Sequence, residues 1–279
     1  MDVKPMTINE RMMYSAVRIE GRRGAGGEAC GTGFFLSHQI EEGPKVRMLV
    51  STRRVVEGLG RGTLHLHRPR ATTGHGQVVP TESVPVEVDD FWPRWVPHPD
   101  PDVGLCALPY DVVHAAVRSA GRDVYGTFFE THQVIPPDEA ITGLDAAEEV
   151  QLIGYPAEVW DRGNSFPVFR RGTIATHPRV DYRGRPAVLI DVASPEGCVG
   201  CPVVVLSRTT FKEDEKELWP VILLGVLVAG FGGGAGGGPG PGACGRGLAP
   251  GGMPLGTVVK SRELLVLAEA VAAKMAPAG

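Results

Sequence analysis

Cysteine is scarce in this chain: there are five in 279 residues, an odd number without framework spacing. That argues against a fold stapled by a disulfide network and points to reduced thiols in a cytoplasmic setting. No apolar run is long enough to cross a bilayer as a helix. The longest, from Leu218 to Phe231, is fourteen residues and holds a proline and two glycines, so buried strands are expected there and no membrane partner. The stretch from Met1 to Tyr14 mixes charges among its apolar residues, so no secretion signal is expected. Neither sign of charge dominates. Lys and Arg number 28 against 32 Asp and Glu, a formal net charge of -4, which removes any chain-wide attraction to nucleic acid. No solenoid or propeller repeat period is visible.

Glycine (38) and proline (24) are abundant, which favours many short strands and turns over long helices. With 43% apolar and 22% charged residues the chain has the mix of a soluble globular protein. Its length fits one large domain or two small ones sharing a core. A short helix is expected at the start, with Thr7 as cap, Glu10 three residues on, and Met12, Met13 and Tyr14 as its apolar side. Strands are expected at 16–20, 30–36, 46–52, 62–67, 77–79, 83–88 and 103–108, with a tight piece at 53–58. A helix follows over 111–120, capped by Asp111, and 121–147 reads as a connector. The second half repeats the β texture at 149–154, 168–176, 187–192, 202–207, 221–229 and 257–259. A closing helix spans 261–275 with Ser261 as cap.

Two blocks interrupt this pattern. Phe211 to Glu217 reads as a charged hairpin tip. Gly232 to Gly252, with Pro239, Pro241, Cys244 and Pro250, is glycine-rich. It does not follow a strand and open a helix as a phosphate loop does, so a surface loop is expected rather than a nucleotide site.

Two sets of short strands around a connector fit a pair of small antiparallel barrels. Four stretches then resemble the trypsin-like serine peptidases, in their intracellular bacterial branch. Gly31-Thr32-Gly33-Phe34 resembles the Gly-Thr-Gly-Phe strand before the catalytic histidine. Leu49-Val50-Ser51-Thr52-Arg53-Arg54-Val55-Val56 is similar to Leu-Val-Thr-Asn-Arg-His-Val-Val. Asp102-Val103-Gly104-Leu105 resembles the Asp-Leu-Ala-Leu that carries the catalytic aspartate. Gly197-Cys198-Val199-Gly200-Cys201-Pro202-Val203 stands where the family has Gly-Asn-Ser-Gly-Gly-Pro-Val. Gly154-Tyr155-Pro156 and Arg171-Gly172-Thr173-Ile174 are similar to flanking pieces of the family's second barrel. The resemblance implies an all-β fold of two antiparallel six-stranded barrels with short N- and C-terminal helices. Its first barrel would cover about 15–110, the connector about 111–147, the second barrel about 148–260 and the closing helix about 261–275.

The same resemblance puts Arg54 at the histidine position and Val199 at the serine position, and keeps only Asp102. Acyl transfer needs a nucleophile activated by a base that a third group orients. Valine has no nucleophilic atom, and arginine stays protonated and cannot accept a proton. Gly197 and Val199 would supply oxyanion-hole-like backbone donors. The expected function is therefore that of an inactive peptidase homologue acting on protein partners as a binding, scaffolding or regulatory module, without cofactor. The alternative is an endopeptidase with Cys198 as an unorthodox nucleophile, one residue from the serine position. Asp102 either pairs with Arg54 or caps a turn while Arg54 faces solvent.

The remaining chemistry-bearing residues are weighed on spacing. Cys198 and Cys201 form Cys-x-x-Cys, but a metal site needs a second pair, and Cys30, Cys106 and Cys244 are scattered. No metal is expected. Cys30 matches a disulfide position of secreted relatives whose partner position here is Val55, in agreement with a reducing compartment. His65 and His67 share one strand face, read as solvated rather than metal-ligating. His98 reads as a surface loop residue, and the cluster from Phe91 to Trp95 as a lid packed on the first barrel or a partner-binding patch. Ala193 and Ser194 stand at the depth of the primary specificity pocket, without a carboxylate.

Overall fold

The computed structural model describes residues 7–24, 26–72, 78–137, 143–157, 159–192, 197–206, 221–230 and 255–276. The expected hairpin tip (211–217), the glycine-rich segment (232–252) with its Cys244, and Ala193 and Ser194 lie outside them. Helix α1 (Ile8–Met13) leads into strands β1 (Ala16–Arg23), β2 (Glu28–Gln39) and β3 (Lys45–Thr52). The short α2 (Arg53–Val56) separates these from β4 (Leu59–Thr72) and β5 (Val78–Asp89). Then come α3 (Phe91–Arg94), β6 (Val96–Pro97), β7 (Leu105–Pro109) and α4 (Tyr110–Ser119). The connector holds β8 (Phe129–Glu130) and α5 (Thr131–Val134). The second half consists of β9 (Glu149–Gly154), β10 (Val168–Ile174), β11 (Ala187–Asp191), β12 (Pro202–Leu206), β13 (Val221–Gly230) and β14 (Leu255–Lys260), followed by α6 (Glu263–Met275).

The second half closes into a six-stranded barrel in the order β10-β11-β14-β13-β12-β9. The first half does not. It is an eight-stranded sheet, β5-β4-β1-β2-β3-β7-β6, with β8 pairing parallel to β2. The expected pair of six-stranded barrels is thus corrected to one barrel and one open sheet. The sheet's last strand offers a physical reason: β6 is two residues long and ends at Pro97, which has no N–H to extend the ladder.

Alternation explains where the core lies. Along β5, Val84, Val86 and Val88 are buried while Pro85 and Glu87 are exposed, the period of a strand with one wet face. Strand β7 is buried throughout because both of its faces are covered. Leu105 and Ala107 pack with Leu264 and Leu267 of α6, whereas Cys106 and Leu108 pack with Val113 and Val117 of α4. Phe34 and Leu36 of β2 join Ile153, Tyr155 and Val226 of the barrel in one cluster, so a single core spans both halves.

Helix α1 has the expected capping box: the Glu10 N–H donates to Thr7 Oγ1 at 3.2 Å, and the Thr7 N–H to Glu10 Oε2 at 2.9 Å. The other two caps differ from expectation. Pro109, not Asp111, caps α4, because β7 runs straight into the helix, and Asp111 lies in the first turn. Arg262, not Ser261, precedes α6, because the Ser261 N–H is still committed to Leu224 O at 3.0 Å.

His67 is not on a solvated face. It is 2% exposed, with Tyr14 edge-on at 4.9 Å and Phe166 stacked at 5.3 Å. Burial pushes its pKa down from 6.5 to about 4. The folded state therefore resists a proton that the unfolded chain accepts below about 6.5. Its contribution is complete above that pH and is lost as pH falls towards 4, about 3 kcal/mol in all. Denaturant midpoints taken between pH 7 and 4.5 are expected to fall steeply for the native chain and less so for His67→Phe. Equal slopes in the two proteins would contradict the assignment.

Candidate functional site

The turn carrying position 199 lies against β2, and Thr32 makes the join. The Thr32 N–H donates to Val199 O at 2.9 Å, and Thr32 Oγ1 donates to Gly197 O at 2.8 Å. The same hydroxyl accepts the Tyr155 N–H at 3.0 Å, and Thr32 O accepts Ser51 Oγ–H at 2.8 Å. Thr32 is wholly buried. The close approach needs the glycines around it. A Cβ at Gly200 (φ +90°) would stand 1.9 Å from Thr32 O, and one at Gly197 (φ +86°) 2.2 Å from Tyr155 O. At both positions the left-handed backbone and the missing side chain are required together.

Elements bearing positions 54, 102 and 199 converge at this end of the sheet. Arg54 lies on α2, whose first N–H, from Arg53, donates to Gly104 O at 2.9 Å and so anchors the segment of Asp102. A Cβ at Gly31 would meet Val55 Cγ2 at 2.4 Å and Val199 O at 3.1 Å, which places α2 and the 199 turn on the same glycine. Val199 is half-buried and packs with the apolar cluster that includes Val55.

The side chains do not reproduce the backbone convergence. Arg54 and Asp102 are both exposed, and among the described residues no ion pair joins them, so of the two expected alternatives the pairing is excluded and Arg54 faces solvent. Instead, Arg54 O accepts Arg23 Nη2–H at 2.6 Å, and the Asp102 N–H donates to Asp100 Oδ1 at 2.9 Å. Fully hydrated charges gain little from each other, so no force draws the two together.

Cys198 and Cys201 are 1% and 0% exposed. The Cys201 S–H donates to Cys198 sulfur; this bond, against the opposing effect of burial and with help from Arg170 of β10, holds the Cys198 thiol below its usual range. Burial first, and then this donation, hold the Cys201 thiol well above it. No disulfide joins the four described cysteines, and among the described residues no three His, Cys, Asp or Glu gather as metal ligands.

His98 is buried rather than on the surface, its Nδ1 accepting the Asp100 N–H at 3.1 Å and its Nε2 lying 3.4 Å from Glu263 Oε2 on α6. Phe91 and Trp95 are buried against the first sheet, the lid arrangement. His65 meets Glu20, Nε2 to Oε2 at 3.0 Å, and Arg18 Nε reaches Glu20 Oε1 at 2.6 Å beneath the Trp160 ring. The hydrogen bond with His65, and behind it that with Arg18, hold the Glu20 carboxyl down to about 2 against burial. This cluster and the role of Thr32 were not evident from spacing. For Thr32 a signal existed: a small polar residue between two strand glycines marks close approach of another backbone.

No protein-family model matches the chain, and no curated protein does. Among solved structures it is similar to the active form of the Rv3671c protease from M. tuberculosis, at 15% identity and a TM-score of 0.46, over 93% of this chain and 82% of that one. It is also similar to a structure of GrC, at 13% identity and a TM-score of 0.42, over 92% of each chain.

Two variants separate the seam from the exposed charges. Thr32→Val leaves Gly197 O and the Tyr155 N–H buried without partners, and is expected to cost about 3 kcal/mol in denaturant unfolding. Arg54→Ala is expected to change stability by less than about 0.5 kcal/mol. A reversed order of the two would show that the seam is not where the stability lies.

Proposed function

We propose that the chain is a peptidase-fold protein of trypsin-like type without peptidase activity, which serves as a binding, scaffolding or regulatory module for a protein partner. The observation that carries the reading is the contrast at position 199. The backbone there is pinned by Thr32 and by two left-handed glycines, yet its side chain is a valine packed with the Val55 cluster. Position 54 carries an exposed arginine, which holds its proton throughout the working pH range. A nucleophile and a base are both lacking at those positions, and backbone donors alone leave a rate orders of magnitude below that of an intact triad. A reducing, cytoplasmic setting belongs to the same proposal, and rests on the low cysteine count.

The competing reading makes Cys198 a nucleophile, and its lowered pKa favours it. Against it, the residue is 1% exposed, and among the described residues its hydrogen-bond partners, Cys201 and Arg170, include no imidazole to take up a proton. A nucleophile that cannot meet the scissile carbonyl does not react, whatever its basicity.

Cleavage of a generic fluorescent protein substrate, by the native chain and by Cys198→Ala in parallel, decides between the two. No turnover by either is expected. Turnover by the native chain that disappears in Cys198→Ala would make the protein a cysteine endopeptidase and overturn the proposal.

A further inference from the structure

The function proposed above makes no use of two adjoining thiols. Cys198 and Cys201 open and close a four-residue turn: the Cys201 N–H donates to Cys198 O at 3.0 Å, and Gly200 takes the third position with φ +90°, as a type II turn requires. A β-turn holds its end Cα atoms within about 7 Å, and a disulfide spans about 4.4 to 6.8 Å, so the backbone is already in range. The two sulfurs already share a hydrogen bond.

Their surroundings are unequal. Arg170 stands beside Cys198 and favours its thiolate. Cys201 is wholly buried, faces the bare backbone of Gly154, where a Cβ would come within 2.0 Å of its sulfur, and touches the Thr32 hydroxyl. One sulfur is thus suited to attack and the other to wait as a thiol, which is the division between a reacting and a resolving cysteine. Because Cys198 is only 1% exposed, a bulky disulfide cannot reach it without opening of the fold, whereas hydrogen peroxide is little larger than water.

We propose that Cys198 and Cys201 are a redox modification site that closes to a reversible disulfide within the turn, with hydrogen peroxide as the oxidant. The Cys198 thiolate attacks one peroxide oxygen; an S–O bond forms, the O–O bond breaks, and the departing hydroxide takes a proton to become water. Cys198 is then a sulfenic acid. Cys201 sulfur, giving up its proton, attacks Cys198 sulfur; the S–S bond forms, the S–O bond breaks, and the leaving hydroxide departs with that proton as a second water. Two thiols lose two electrons, and one peroxide becomes two waters. A dithiol reductant reverses the modification. The disulfide would lock the turn whose Gly197 and Val199 carbonyls rest on Thr32, and would remove the Cys198 thiolate.

The test uses the reduced, folded full chain. It is treated with hydrogen peroxide, unfolded in excess N-ethylmaleimide and mapped by peptide mass. The expected result is joint loss of label at Cys198 and Cys201, in a peptide lighter by two hydrogens, with label kept at buried Cys106 and restored at both positions by dithiothreitol. In Cys201→Ser the same treatment is expected to leave a sulfenic acid on Cys198 that dimedone traps. The proposal fails if both thiols still take label once the partly exposed Cys30 has reacted. It fails equally if Cys198 is found bonded to Cys30, Cys106 or Cys244, or oxidised alone while Cys201 keeps its label.

Discussion

The N–H and the hydroxyl of Thr32 are committed to the join between the two halves of the molecule, while its carbonyl ties β2 to β3 within the first. Its N–H and its hydroxyl proton go to the carbonyls of Val199 and Gly197, its hydroxyl oxygen takes the Tyr155 N–H, and its carbonyl takes the Ser51 hydroxyl. These groups are buried, so each bond lost would leave a dry donor or acceptor, and that penalty exceeds the modest net gain of making the bond. The geometry permits no slack. Gly197, Gly200 and Gly154 all lie where a Cβ would collide with the seam. Around it the apolar core runs uninterrupted from Phe34 of the sheet to Val226 of the barrel. The seam fixes where the 199 turn sits, and hence what any chemistry there can reach.

The order and spacing of strands were legible in the sequence because alternation and turn residues are local signals. Most of the expected strands are present, and residues 78–79 and 83–88 of two expected strands belong to one strand, β5. Closure was not legible. Whether a sheet meets itself depends on its edges, and a two-residue edge strand ending in proline leaves no ladder to extend. The caps of α4 and α6 were misread for a related reason, since a strand running directly into each helix outweighs the local preference of Asp111 or Ser261 for the cap. The burial of His67 and His98 depends on elements distant in sequence, Phe166 for one and Glu263 for the other.

At the site, the backbone of α2, the Asp102 segment and the 199 turn meet. Spacing said nothing of how the side chains would settle. An arginine need not seek a carboxylate when both remain in water, and Arg54 and Asp102 stay apart. Val199 packs on its apolar neighbours. In three dimensions the stretch from Cys198 to Cys201 is a turn bracketed by two interacting thiols.

The central claim is that this turn is a weld between the two halves of the molecule. Native-state hydrogen exchange followed by mass spectrometry tests it most directly, at the amides of Thr32, Tyr155 and Gly200. These donate to Val199 O, Thr32 Oγ1 and Leu227 O. The account predicts that they exchange only through global unfolding, as slowly as the amides of β13 and β14 in the barrel. Exchange through local opening, much faster than that of the barrel strands, would contradict it.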